Sequence, residues 1–294
     1  MKILVLGSDG QLGKCLYDQF RNTDHELIFF SRLDVDISDF DLMRKKMLSI
    51  KPDLTINAAA YTAVDEAESE KKLAYLINST AVEIIANICK ELNTWLLHIS
   101  TDYVFDGLYE GAYKETCKPN PKSVYGASKL SGEHAIQSSE CKYIIIRTSW
   151  VFSEYGNNFL KTMIMLGKKN KEIKVVEDQF GCPTYAQDIA KSIVSIAPKL
   201  MQEKLESNVY HYCGDSSCSW HEFSESIFNV AKKYGFKVPV HVNKIKSKDY
   251  KTAAIRPKFS ILNCSKIKEH FEISKSDWLA GINHIFHSSR IQDD

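Results

Sequence analysis

Tyr125 and Lys129 stand four residues apart in the string Tyr125-Gly126-Ala127-Ser128-Lys129, a spacing that puts both side chains on one face of a helix. A phenol with an ordinary pKa of about 10 is a poor acid-base catalyst at neutral pH. A neighbouring ammonium stabilises its ionised form and brings it nearer a working range. Proton transfer by such a group is worth about two to four powers of ten in rate. Ser100-Thr101 closes an apolar run and adds two hydroxyls. Alone, Tyr-x-x-x-Lys also fits an exposed tyrosine beside a lysine, so its meaning depends on what surrounds it.

A second constellation is Gly7-Ser8-Asp9-Gly10-Gln11-Leu12-Gly13, a G-x-x-G-x-x-G loop between a short apolar run and a helical stretch. Glycines allow the tight turn and the close approach of backbone amides to a pyrophosphate, whose charge then sits at a helix N-terminus. Gly7, Gly10, Gln11, Leu12 and Gly13 are therefore candidate contacts to a dinucleotide. The next strand ends in Phe30-Ser31-Arg32. An acidic residue there would bind a free ribose 2′-hydroxyl, whereas Arg32 suits a 2′-phosphate. This favours NADPH and leaves NADH open. Asp36 and Ile37 follow, where they flank the adenine.

These residues need a scaffold, and the first half of the chain supplies its pattern. Ile3 to Gly7, Glu26 to Ser31, Leu54 to Ala60, Thr94 to Ser100 and Lys142 to Trp150 read as buried strands. Helical stretches lie between them at Gln11 to Asn22, Asp39 to Ile50, about Ser69 to Leu92, and Ser123 to Ser139. In the third, Leu73, Leu76, Ile77, Ala81, Ile84, Ile85 and Ile88 recur at helical spacing and read as core. Five βα units predict an α/β fold: a Rossmann-type, doubly wound parallel sheet with a smaller α/β substrate-binding lobe. The nucleotide domain covers 1–150, with later returns at about 184–215; residues 151–294 form mainly the second lobe. After Trp150 the expectation is a loop at Ser153 to Asn158, a helix from Phe159 and a strand near Ile173 to Val176, then a turn through Gly181 and Pro183.

Composition fits an ordinary globular protein. Apolar residues make up 44% and charged residues 26% of 294, enough for a large core without staples. The net charge of +1 gives no electrostatic footprint for nucleic acid. No run approaches the roughly 20 apolar residues of a membrane span, and a cytoplasmic setting is expected. The eight cysteines are scattered and read as reduced thiols; Cys213 and Cys218, near His211 and His221, read as a strand end with a polar loop.

Together these residues resemble the extended, sugar-nucleotide-modifying branch of the short-chain dehydrogenase/reductase superfamily. Further strings narrow the likeness: Asn57 to Asp65, Ser100 to Phe105, Arg147 to Phe152, Gly156 to Phe159 and Asp178 to Thr184. They resemble the dTDP-4-dehydrorhamnose reductase family, from the first strand to about Asn263. The resemblance implies a catalytic set of Thr101, Tyr125 and Lys129. In it Tyr125 donates a proton to the C4 carbonyl oxygen, Thr101 hydrogen-bonds that oxygen, and Lys129 holds the nicotinamide ribose. It implies NADPH or NADH as cofactor, with Ala60, Tyr61, Thr62, Tyr125 and Lys129 added to its contacts. It also implies sugar or nucleotide contacts at Thr101, Asp102, Trp150, Asn158, Gln179 and Arg256.

The implied partner is a nucleotide sugar, met by a monomer or homodimer without nucleic acid or membrane. Two departures stand out. Some members bind magnesium through a glutamate just after the glycine loop, where this chain has Cys15, a poor ligand for a hard cation; no metal site is expected. Lys258-Phe259-Ser260 also replaces small or polar residues after Arg256-Pro257. Two alternatives stay open: a reductase or epimerase of another 4-keto deoxysugar nucleotide, and a cofactor-binding regulatory subunit without turnover.

Overall fold

A computed structural model describes residues 1–202 and 205–288. Residues 203–204 and 289–294, which the sequence reading gives to the sheet returns and the second lobe, lie outside the described residues. The first half runs β1 (Lys2–Leu6), α1 (Gln11–Phe20), β2 (Glu26–Phe30), α2 (Phe40–Ile50), β3 (Leu54–Asn57), α3 (Lys71–Tyr75), α4 (Ala81–Leu92), β4 (Trp95–Thr101), α5 (Val124–Ser139) and β5 (Lys142–Thr148). The second half runs β6 (Val151–Phe152), α6 (Phe159–Lys169), β7 (Glu172–Val176), β8 (Phe180–Gly181), β9 (Thr184–Tyr185), α7 (Ala186–Gln202), β10 (Asn208–His211), β11 (Cys218–Ser219), α8 (Trp220–Lys233), β12 (His241–Ile245), α9 (Ser265–Phe271) and α10 (Trp278–His287).

Six strands form one parallel sheet in the order β10-β5-β4-β3-β1-β2. Helices α1 and α7 pack together on one face, over Val5, Leu16, Ile56, Leu97, Ile189 and Ile193. Helices α2, α4 and α5 cover the other face, over Leu4, Met43, Met47, Val82, Ile85 and Leu96. Strands buried on both sides explain the continuous apolar runs read from the sequence. A separate core, built from Phe152, Leu160, Ile173, Phe223, Ile227 and Trp278, holds α6, α8, α10 and the short strands together.

β1 and β2 end one residue sooner than the sequence predicted, and β3 and β5 sooner still. β3 stops at Asn57, whose Oδ1 accepts the Ala59 amide at 3.1 Å and turns the chain. β5 stops at Thr148: Ser149 donates to the Cys182 carbonyl at 2.8 Å, and Trp150 adopts φ 47°. The helix expected from Ser69 to Leu92 is interrupted by a π-helical turn, Leu76–Thr80. The widened turn brings Asn78 into the interior at 1% exposure. Leu73, assigned to the core, is 39% exposed instead, and with Ile77 it faces the cleft described next.

Candidate active site

β1 is flanked by β2 on one side and β3 on the other, so the connections after β1 and β3 run in opposite directions and open a crevice at the strands' carboxyl ends. That crevice is a cleft of about 790 Å³. Its floor is the glycine loop. Gly7 has φ +83°, and a Cβ on Gly13 would lie 2.2 Å from the Gly7 carbonyl oxygen. Glycine is therefore required for α1 to start this close to the loop. Gly10 caps α1, and the first turn of a helix leaves amides without intrahelical partners. The Gln11 side chain looks elsewhere: its Oε1 accepts from Ser153 at 3.0 Å and Asn158 at 2.9 Å, tying the loop to the start of α6. Leu12 packs into the α1–α7 core.

At one end of the cleft, Arg32 Nε donates to Asp36 at 3.0 Å with its side chain 82% exposed. Asp36 also accepts from the Ser38 amide at 2.9 Å and hydroxyl at 2.7 Å, and these bonds, ahead of Arg32, hold its carboxyl below the usual range. Ile37 and Ala60 to Thr62 line the same wall. Asn78 fixes the backbone there: its Oδ1 accepts from Tyr61 N at 2.9 Å, and its Nδ2 donates to Tyr61 O and the Ser128 hydroxyl, each at 3.0 Å.

The deep wall comes from β4 and α5. Ser123 caps α5 by accepting the Gly126 amide at 3.1 Å. A Cβ on Gly126 would lie 2.2 Å from the Tyr103 carbonyl oxygen, so the absence of one lets α5 dock against the turn after β4. That contact brings Tyr125 to Thr101. The phenol is pushed above its ordinary range, chiefly by burial, against the opposing hydrogen bond of Thr101. The shift runs opposite to the one expected from a neighbouring ammonium.

Lys129 is 2% exposed; its Nζ donates to Ile99 O at 2.6 Å and lies 3.2 Å from His98 Nε2. Burial brings its pKa down to about 8, opposed by the charge of Glu133 one helical turn on. His98 is fully buried and held well below its ordinary pKa, first by burial and then by Lys129. Glu133 accepts from Ser100 and forms a buried pair with Arg147 at 2.6 Å.

The description RmlD substrate binding domain belongs to the family model that matches residues 1–291. The dTDP-4-dehydrorhamnose reductase of Aggregatibacter actinomycetemcomitans is 42% identical over 288 residues, covering 97% of this chain and 98% of that protein. This chain belongs to the dTDP-4-dehydrorhamnose reductase family. Among solved structures, the family's enzyme from Bacillus anthracis in complex with NADP superposes with a TM-score of 0.90 at 36% identity, covering 98% of this chain and 99% of that one. A Clostridium acetobutylicum dTDP-4-dehydrorhamnose reductase gives 0.91 at 34%, with 98% and 99% covered.

The site residues expected from the sequence divide into groups. Gly7, Gly10, Gln11, Leu12, Arg32, Asp36, Ile37, Ala60, Tyr61, Thr62, Thr101, Asp102, Tyr125, Lys129, Trp150 and Asn158 all line the one cleft. Trp150 stacks on Trp220 with centroids 3.4 Å apart and planes within 4°. The Asn158 side chain is occupied as the cap of α6, accepting from Lys161 N at 3.1 Å while donating to Gln11.

Gly13, Gln179 and Arg256 stand outside the lining. Gln179 donates to Ser247 at 3.0 Å, and Arg256 donates to Asp65 at 2.7 Å and to the Tyr103 hydroxyl at 3.2 Å. His211 and His221 point to separate carbonyls, Tyr113 O and Val242 O, each at 3.0 Å. Cys15 is buried in the core. Sequence reasoning missed Asn78, His98, Glu133 and Arg147. A usable signal existed for Glu133, which follows Lys129 by the same four-residue step that links Lys129 to Tyr125.

Proposed function

We propose that this protein reduces the C4 keto group of dTDP-4-dehydro-L-rhamnose to give dTDP-L-rhamnose, with NADPH or NADH as reductant. The observation that carries the reading is the meeting of Tyr125, Thr101 and Lys129 at the carboxyl end of β4, beside the glycine loop. The loop and the first amides of α1 suit a pyrophosphate, and Arg32 stands free enough to take a 2′-phosphate. Its present partner is an exposed ion pair, of a kind worth about 0–1 kcal/mol, so Arg32 is redirected at little cost. Asp36, left behind, accepts a ribose hydroxyl. The reduced nicotinamide, when bound, supplies hydride to the sugar carbon.

The chain's own groups handle the proton. Burial keeps Tyr125 protonated, which suits an acid that gives its proton only as negative charge develops on the C4 oxygen. Thr101 orients on the same oxygen. Lys129, fixed by Ile99 O and with donor capacity to spare, holds the cofactor ribose and stabilises the phenolate left after transfer. Trp150, Asp102 and the lobe beyond them enclose the sugar. We place the reaction in the cytoplasm, where reduced thiols such as these eight persist.

The test is to incubate the protein with NADPH and dTDP-4-dehydro-L-rhamnose, follow the loss of reduced-nicotinamide absorbance, and identify the product by mass spectrometry. Failure to oxidise NADPH with this substrate refutes the reading. Tyr125→Phe lowers kcat by about 10² to 10⁴ while cofactor affinity holds.

A further inference from the structure

Thr101 has one proton and two lone pairs to distribute. Its hydroxyl donates to Asp102 Oδ1 at 3.0 Å and accepts the Tyr103 amide at 3.2 Å. The remaining lone pair is open to the Tyr125 phenol, which lines the same cleft close by. With Asp102 ionised, protons run in one direction: from Tyr125 to Thr101, and from Thr101 to the carboxylate. Both donors that the proposed reaction needs then point away from a keto oxygen in the cleft.

Asp102 is a poor site for a charge. It is 2% exposed, and its Oδ2 is buried without a hydrogen-bond partner. Arg256, the guanidinium on that side, is engaged by Asp65 and the Tyr103 hydroxyl. The titratable groups that face Asp102 are Tyr125 from α5 and Tyr103 from its own turn, both above their ordinary range because of burial. From the segment after Arg256 comes only the Ser260 hydroxyl. An orphaned oxygen is far less costly on a neutral carboxyl than on a carboxylate.

We propose that Asp102 works as a neutral carboxylic acid, a positioning residue whose proton is donated to Thr101 Oγ1 and so turns the Thr101 and Tyr125 hydroxyls toward the substrate oxygen. The proton comes from solvent, and no covalent step is involved. Once Asp102 donates, both Thr101 lone pairs are filled, by Asp102 and by the Tyr103 amide. The Thr101 proton swings into the cleft, and Tyr125 loses its internal acceptor. Burial raises the Asp102 pKa to about 6, against smaller opposing effects of the nearby Ser260 and Thr101 hydroxyls and of the Asp102 and Tyr103 amides. A sugar seated over the cleft removes further water and raises it again.

The inference rests on the reductase reading, and its test separates the two. Asp102→Asn keeps a donor toward Thr101 and cannot ionise. In the wild type, kcat/KM for the keto sugar falls about tenfold per pH unit above the Asp102 transition. In Asp102→Asn the profile stays flat over the same range, whatever the height of its plateau. An alkaline fall that persists in Asp102→Asn at the wild-type position and slope overturns the proposal, because the titrating group is then not Asp102. If Asp102→Asn does not fold, Thr101→Val takes its place: it abolishes the alkaline fall if the proposal holds and retains it if not.

An activity-free readout is the infrared carbonyl band of an un-ionised carboxyl in the ligand-free wild type, assigned by aspartate labelling. It titrates near pH 6. Its absence at pH 5, with the protein folded, refutes a neutral Asp102. Wild-type protein that never oxidises NADPH removes the reductase reading but leaves this band to decide Asp102.

Discussion

Glu133→Gln perturbs a charge that is out of sight of the cleft. Glu133 and Arg147 pair at 2.6 Å with side chains 1% and 5% exposed. Arg147 Nε also donates to both Glu133 oxygens, at 2.9 and 3.2 Å, and its guanidinium lies 5.2 Å from the Phe105 ring. His211, at 3.4 Å, offers no counter-charge: burial and then Arg147 lower its pKa to about 3.

Glutamine keeps an acceptor for Ser100 and nearly the same volume, so the loss is the charge itself. Leaving a buried guanidinium uncompensated costs about 3–5 kcal/mol. For a domain of this size each kcal/mol lowers Tm by about 2–4 °C, so the variant melts about 6–20 °C lower. Replacing both partners, Glu133→Gln with Arg147→Met, returns stability to within about 1 kcal/mol of wild type, because a buried pair gains little over apolar side chains. Calorimetry and guanidinium unfolding of the four proteins form a double-mutant cycle. A loss below about 1 kcal/mol in the single variant, or a double variant less stable than both singles, refutes the assignment of an isolated, mutually neutralising pair. The same charge supports the Lys129 ammonium, so Glu133→Gln also moves any Lys129-dependent limb of a pH profile further below pH 8.

Other perturbations separate binding from chemistry. Asn78→Ala frees the Tyr61 backbone and raises the KM for NADPH by about ten- to a hundredfold, from unsatisfied groups worth about 1–3 kcal/mol; steady-state kinetics with kcat unchanged within about twofold supports this, and an unchanged KM refutes it. Gly13→Ala places a methyl 2.2 Å from Gly7 O and 2.6 Å from Ser8 Cα. It lowers stability by about 1–3 kcal/mol and weakens NADPH binding, measured by calorimetric titration. Lys129→Met tests linkage. A lysine whose folded pKa is about 8 binds fewer protons when folded than when unfolded between there and its ordinary value of about 10.4. Wild-type stability therefore rises relative to the variant as pH climbs through that window; parallel unfolding curves across it would count against a depressed Lys129.

The features most visible in the sequence are those whose cause is local. Strand runs, helical stretches and the glycine loop are written in consecutive residues, and the step from Tyr125 to Lys129 follows from helix geometry alone. Strand ends were less legible, because Asn57 and Ser149 stop their strands through side-chain bonds to turns and to a distant carbonyl. The buried polar network was the hardest part. His98 sits in an apolar run and reads as core, yet its ring bridges Asn57, at 3.2 Å, and Lys129, from two other elements. Arg147 in an apolar strand is a warning in itself, since an arginine there demands an anion; what no local pattern reveals is that the anion is Glu133. The direction of the Tyr125 shift was out of reach for the same reason, since it depends on how deeply α5 docks.

Trp150 and Trp220 have a use beyond packing. Two indoles stacked nearly parallel at 3.4 Å couple as chromophores, and Trp150 is held there by a left-handed backbone and by Gly181, where a Cβ would lie 2.5 Å from the ring. The pair joins the Trp150 side of the cleft to the first residue of α8. The molecule thus carries its own optical gauge: near-ultraviolet circular dichroism and indole emission report, without any label, how α8 sits against the cleft.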